Sequence, residues 1–199
     1  MHLNWIGKIT ASLLLAAGLA GCVDVDVDIA VTGSDTARTT LTQTMDADFY
    51  AMVKMSAEEA EGESEGFCDE GTLTETSEGG AICVVTQEGA FASLDVTKED
   101  GGVTFENAGP GLVRVTLPTK DMQAEVGADE DMDAETRQMV EAFFAGRTLN
   151  IKVAGAEVVE TNMTVSADKS FASQEIMMLD LINGAANLPE ELFAVVRVP

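Results

Sequence analysis

Histidine and tryptophan occur once each in this sequence, as His2 and Trp5. Beyond residue 5 the chain has no imidazole, which excludes Ser-His-Asp and Cys-His catalysis and any His-ligated zinc, iron or haem. The reactive groups that remain are carboxylates, lysines and hydroxyls. We therefore expect a protein that is not an enzyme and that needs no cofactor.

Three aspartates alternate with apolar residues near the start of the chain, at Asp24, Asp26 and Asp28. In a strand they project from one face, and carboxylates in a row are ligands for Ca²⁺. An EF-hand loop needs Gly at its sixth position and Glu at its twelfth, whereas a count from Asp24 reaches Ile29 and Asp35. The pattern favours a solvated acidic sheet face.

A denser acidic run precedes a helical segment and supplies the weak metal-site candidates of this sequence, Asp129, Asp131 and Asp133. The same count again finds neither Gly nor Glu where a calcium loop needs them. Acidic residues beside the first turn of a helix also interact favourably with the helix dipole, which is a structural reason for their presence. We expect no metal site.

Paired carboxylates are also the machinery of glycoside hydrolases. The 35 acidic residues supply many accidental pairs, and aromatic side chains that would stack on sugars make up only 5% of the chain. A carboxylate-based glycan hydrolase is therefore the second alternative function.

The N-terminus has the organisation of a secretory signal peptide. Lys8 precedes a run of 12 apolar or weakly polar residues from Ile9 to Ala20, and the run stops at Gly21-Cys22. A membrane-spanning helix needs about 20 apolar residues, so this run is too short. We assign residues 1–21 to a removable signal peptide and residues 22–199 to a single domain.

The residues Leu19-Ala20-Gly21-Cys22 match the bacterial lipobox at every position. This resemblance implies that the Cys22 sulfur receives a diacylglyceryl group, that cleavage precedes Cys22, and that the new amino terminus is acylated. Several acyl chains give stable anchoring. The domain would then lie in the periplasm, held to the cytoplasmic or outer membrane; Val23 instead of Asp favours the outer membrane by resemblance to enterobacterial sorting.

With Cys22 taken as the anchor, Cys68 and Cys83 remain as a pair in an oxidising compartment, where a disulfide is expected. Their spacing is not the Cys-x-x-Cys of redox-active dithiols. Closing a loop of this size stabilises a fold by roughly 3 kcal/mol in the chain-entropy model.

The chain is strongly acidic, with a net charge of −24 that becomes −25 when Lys8 leaves with the signal peptide. Such a field repels nucleic acid and anionic lipid headgroups, so neither is an expected partner. It is also a general device for solubility. The hydrophobic fraction of 46% is high enough for one folded domain with a sizeable core.

Period-2 alternation and turn residues predict strands at most positions along the domain, and two segments show helical periodicity. Asp46 is expected to cap a helix to about residue 57, and Asp133 a helix over 134–145 that Gly146 closes. The predicted architecture is α+β: a mostly antiparallel sheet of about eight strands with two main helices on one face. Strands are predicted at 23–31, 37–45, 72–76, 81–86, 103–106, 112–117, 148–153, 157–165, 176–182 and 191–198.

Methionine is common, and a flexible Met-lined pocket would suit an acyl chain. Ordinary core filling also explains Met at helical spacing. The positions are Met45, Met52, Met55, Met122, Met132, Met139, Met163, Met177 and Met178.

The strand Cys22-Val23-Asp24-Val25-Asp26-Val27-Asp28, followed by a short turn and a Thr-rich strand that leads into a helix, resembles the LppM-type lipoproteins of bacterial envelopes. The stretch from Leu149 to Asn162 is similar in rhythm to the late strand pair of that group. The resemblance implies a compact α/β envelope domain with a lipid or glycolipid as candidate ligand. It transfers no functional residue.

These features predict a membrane-anchored periplasmic lipoprotein with a non-catalytic binding or interaction domain, whose partner is an envelope protein or lipid. The first alternative is a carrier or binder of a lipid or other apolar ligand.

Overall fold

The computed structural model describes residues 23–59, 67–98, 102–120, 122 and 134–199. The strands of this part are β1 Val23–Val31, β2 Thr36–Met45, β3 Thr72–Glu75, β4 Ala81–Ala90, β5 Thr104–Gly109, β6 Leu112–Pro118, β7 Thr148–Ala154, β8 Glu157–Thr161, β9 Thr164–Val165, β10 Phe171–Met177 and β11 Glu191–Arg197. The helices are α1 Ala47–Glu59, α2 Ala134–Phe144 and α3 Met178–Ile182, with 3-10 turns at Phe91–Ser93 and Asp95–Thr97. The predicted α+β class is confirmed, with mostly β content.

The strands form two sheets rather than the single sheet of about eight strands that the alternation predicted. The large sheet has seven strands in the order β3-β4-β2-β1-β7-β10-β9, and the small sheet has four in the order β5-β6-β11-β8. Strands β1 and β7 pair in parallel, whereas the other pairings are antiparallel. Alternation identifies a half-buried strand but does not specify its neighbours, so the division into sheets was not predictable.

Strand β1 lies in the middle of the large sheet and contributes its valine and isoleucine face to the core. Val25 and Ile29 on this strand are almost fully buried. The same hydrophobic core contains Ile151 of β7 and Val115 and Ala194 of the small sheet. The two sheets therefore share one core, as expected for a single domain.

The helices begin and end largely where their end signals predict. Asp46 caps α1, because its Oδ1 accepts a hydrogen bond from the Phe49 amide at 3.0 Å. Gly146, with φ of +77°, follows the end of α2 in the left-handed conformation that ends many helices. The rings of Phe49 and Phe143 lie 6.5 Å apart, so the two main helices are neighbours. The proposed cap Asp133 lies outside the described residues.

The apolar segment 176–182, expected as a strand, contains a strand end and a short helix. Strand β10 ends at Met177, and α3 buries Met178, Leu181 and Ile182. This i, i+3, i+4 spacing is helical, so in this segment the helical period prevails over the apolar run. The predicted strand 157–165 is likewise divided between β8 and β9.

Candidate functional site

The core-facing side of the large sheet is less completely buried at the middle of three neighbouring strands. Val27, Leu41 and Val85 lie side by side across β1, β2 and β4 and all three are only half-buried. On β1, the core-facing residues on either side, Val25 and Ile29, are almost fully buried. Val27 and Leu41 pack against the core with part of their surface and keep the rest accessible. We call this partly accessible apolar row, formed by Val27, Leu41 and Val85, the inner cleft.

Two polar side chains of β2 flank the inner cleft. They lie on the core-facing side of the strand, where period-2 alternation predicts apolar residues. Thr39 and Gln43 lie on either side of Leu41 on the core-facing side, and Gln43 is 8% exposed. Within the described part of the chain, the Gln43 carboxamide has no hydrogen-bond partner, yet it is not sealed from solvent. Buried amides are nearly always hydrogen-bonded, so this carboxamide offers a donor and an acceptor to a bound group.

Gln87 occupies the position on β4 opposite Thr39 and shows how a core-facing amide is satisfied within the fold. Its Oε1 accepts a hydrogen bond from the Asp95 amide at 3.0 Å, and its Nε2 donates to the Asp95 carboxylate. Hydrogen bonds from Lys98 and Gln87 lower the pKa of Asp95. Among the described residues Gln43 lacks such a partner, so its carboxamide is the group beside the inner cleft that is available to a ligand.

The inner cleft is therefore an apolar surface with a neutral donor and acceptor at its border. Apolar walls with a few convergent polar groups are typical of small-molecule sites. The sequence pattern does not single out Gln43, because it lies in a Thr-rich strand. The available signal is its spacing: Gln43 lies midway between the apolar residues Leu41 and Met45 and therefore shares their face of the strand.

The three N-terminal aspartates lie on the opposite, outward face of the large sheet, and two of them are engaged in ion pairs. Asp24 Oδ2 lies 3.1 Å from Arg147 Nη1, and Asp28 Oδ1 lies 2.7 Å from Lys152 Nζ. Asp26 lies between Thr42 and Asn150 of the neighbouring strands. These contacts explain Asp24 and Asp28 as charge partners of two basic residues. Among the described residues, no three acidic, Cys or His side chains are arranged to hold a metal ion.

Cys68 and Cys83 form the disulfide that the sequence predicts. Leu73 is the residue opposite Cys83 in the β3–β4 pair, and Cys68 lies in the turn before β3. The bond thus ties the preceding loop onto the hairpin. A Cβ added at Gly71 would lie 2.8 Å from Cys83 Sγ and 2.9 Å from Cys68 Sγ, so the loop passes the bond too closely for any side chain.

The methionines do not form one pocket in the part of the chain that the structure describes. Met45, Met163 and Met178 fill the core, whereas Met52, Met55 and Met177 are exposed. Met122 is half-buried against the core. The remaining candidates lie outside the described residues or have side chains that are not described: Cys22, Asp129, Asp131, Asp133, Met132 and Met139.

The described carboxyl groups with a clearly shifted pKa, Asp95 and Asp168, are both shifted downward. A general acid for glycan hydrolysis needs a raised pKa, so neither is suited to that role. None of the helices in the described ranges is long and apolar enough to cross a membrane.

Comparison with known proteins reveals little similarity in sequence. No protein-family model and no curated protein matches the chain. Among solved structures, the NMR structure of the folded domain of LppM from Mycobacterium tuberculosis aligns over 89% of this chain and 91% of that domain, with a TM-score of 0.47 and 13% identity. A likeness at this level transfers neither a ligand nor a residue role.

Proposed function

We propose that this protein is a lipid-anchored lipoprotein of the bacterial envelope whose domain binds an amphiphilic ligand in the inner cleft without catalysis. The observation that supports this proposal best is the half-buried row Val27, Leu41 and Val85 on the core-facing side of the large sheet, next to Gln43. Apolar walls suit an acyl chain or similar group, and the carboxamide suits a neutral polar group such as an ester or hydroxyl.

The anchor is supported by the lipobox residues Leu19-Ala20-Gly21-Cys22. Metabolic labelling with an alkyne-bearing palmitate tests it directly. The full chain is expected to incorporate the label, and Cys22→Ala is expected to lose it. Equal labelling of both chains would refute the anchor.

Ligand binding is testable on residues 23–199, which contain every described element of the fold. Native mass spectrometry of this chain, secreted to a bacterial periplasm, should detect a mass adduct that organic solvent removes. Titration of the stripped chain with the neutral probe N-phenyl-1-naphthylamine should raise the emission of the probe. A bare mass together with no probe binding would contradict the proposal and favour a protein partner.

Two variants separate the parts of the cleft. Leu41→Phe enlarges the central side chain of the row and should abolish adduct and probe binding, whereas Val165→Phe, a change at an exposed apolar position on β9, should leave both intact. Gln43→Leu keeps the walls but removes the polar group. It should weaken the natural adduct more than the apolar probe. Because the carboxamide has no hydrogen-bond partner among the described residues, the change should alter the free energy of unfolding little.

A further inference from the structure

Large apolar side chains are exposed mainly at one end of the large sheet. The terminal row of this end consists of Val23, Met45, Ala81 and Glu75, which face one another across β1, β2, β4 and β3. Four of the six exposed large apolar residues in the described chain lie on or near this end. They are Met52, Met55, Leu73 and Met177, whereas Val159 and Val165 lie elsewhere.

Contacts with the terminal row place helix α1 at this end. The Tyr50 hydroxyl donates a hydrogen bond to Glu75 at 3.1 Å. Lys54 Nζ lies 3.5 Å from Glu75 and 4.3 Å from the centre of the Tyr50 ring. Helix α1 begins at Ala47, two residues after Met45 of the terminal row. The first two turns of the helix therefore lie beside this end of the sheet, close to Glu75.

The core-facing side of α1 is already occupied, because Phe49, Tyr50 and Val53 belong to or pack against the core. Met52 and Met55, three residues apart, lie together on the exposed side, and Met55 is 57% exposed. Met177, the last residue of β10, is exposed at the same end of the large sheet. It pairs with Thr148, whose amide is hydrogen-bonded to Asp24.

The position of the anchor identifies what this surface faces. Strand β1 begins at Val23, the residue directly after Cys22, so no linker separates the anchor from the sheet. The strand rises about 3.3 Å per residue, which puts its far end roughly 26 Å from its start. We propose that the end of the sheet formed by the terminal row faces the bilayer, with Met52, Met55 and Met177 in contact with the lipid interface. This inference rests on the anchor proposed at Cys22.

Charge sets the kind of lipid surface that fits. The chain carries a net charge of −24, which repels anionic headgroups. The contact that the exposed methionines offer is apolar, and thioether side chains adapt to irregular surfaces. A zwitterionic phospholipid surface is therefore the expected partner, and added salt should not weaken the contact.

A tryptophan reporter can measure this contact, because the only tryptophan, Trp5, precedes Cys22. Met55→Trp and Met177→Trp are therefore single-tryptophan proteins after signal cleavage. The control is Val165→Trp, whose site is 42% exposed and lies level with Ile29, away from the terminal row. The full lipidated chain is reconstituted into phosphatidylcholine vesicles with or without dibrominated acyl chains.

The Met55→Trp and Met177→Trp reporters should lose emission intensity in brominated vesicles and shift to shorter wavelength, while the control changes in neither respect. Vesicle flotation is measured on the same samples. Protein that does not float overturns the anchor and, with it, this inference. Protein that floats, with equal quenching at all three sites or none at any, overturns only the membrane-facing surface. A third outcome is that both reporters shift to shorter wavelength without any bromine quenching, in a protein that sediments as a dimer. This result would assign the surface to a second copy of the chain and would also overturn the inference.

Discussion

Arg147 and Asp24 form an ion pair with Nη1 and Oδ2 3.1 Å apart, and it joins the residue before β7 to the start of β1. A second guanidinium nitrogen of Arg147 contacts the carboxylate of Asp46, which also caps α1. One arginine thus connects the parallel strand pair with the first helix, beside the position of the proposed anchor. Its side chain is 23% exposed, so solvent screens these contacts less than those of a surface pair.

Replacing this arginine should destabilise the domain. Arg147→Met leaves two neighbouring carboxylates without their shared cation, and we expect the free energy of unfolding to fall by about 1–2 kcal/mol. Urea denaturation at low salt measures the change. Arg38→Met is the matched control, since Arg38 and Glu88 are both 52% exposed and their pair should contribute at most about 0.5 kcal/mol. Equal losses in both variants would contradict the central role of Arg147.

Gly71 is expected to tolerate no side chain. In Gly71→Ala the new Cβ would meet Cys83 Sγ, Cys68 Sγ and the Val84 carbonyl at 2.8 to 2.9 Å. Overpacking of this kind costs about 1–3 kcal/mol, and it should also slow closure of the disulfide. Chemical denaturation and a free-thiol assay report the two effects. In the control Gly33→Ala the nearest atom is the Thr36 hydroxyl oxygen at 2.6 Å, which must turn away from its contact with Thr32. Some stability is lost there too, but the free-thiol assay should match the parent.

Asp168 should titrate at unusually low pH. Its Oδ1 accepts hydrogen bonds from the Ser166 hydroxyl and from the amide and hydroxyl of Ser170, and these lower its pKa from 3.8 to about 2. Since the folded pKa is depressed, the stabilisation is present above pH 3.8 and is lost as the pH falls towards 2. NMR titration of the carboxyl carbon measures the midpoint, and Ser166→Ala should raise it. A midpoint near 3.8 in the parent protein would refute the arrangement.

Tyr50 should ionise above its ordinary pKa of 10.0. Burial is the main cause of the raised pKa, and the hydrogen bond and negative charge of Glu75 add to it. The stabilisation is complete below pH 10.0 and is lost as the pH rises through the folded pKa. Tyr50 is the only tyrosine, so phenolate absorbance is unambiguous.

Glu75→Gln offers a sharper test of the same contact. It removes the charge and keeps a hydrogen-bond acceptor, so the Tyr50 pKa should fall towards its ordinary value without returning fully to it. An unchanged midpoint would show that Glu75 has no influence on the phenol.

Short stretches of the sequence determine several local features of this protein. The alternation of valine and aspartate predicts β1, Asp46 and Gly146 predict helix ends, and the two domain cysteines predict a disulfide. These signals need only the chain neighbours of each residue or the general chemistry of its compartment. The lipobox at Cys22 is equally local, and it remains a prediction from sequence.

The tertiary structure decided which strands pair and where packing is incomplete. Two sheets form instead of one, because β6 and β11 pair with each other across a long sequence separation. Val27 is as apolar as Val25 and Ile29 beside it on β1, and no pattern shows that it stays half-buried. The role of Gln43 likewise depends on the residues that surround it in the fold. Burial and hydrogen bonding depend on elements far apart in the chain, so these properties arise only when the two sheets enclose their common core.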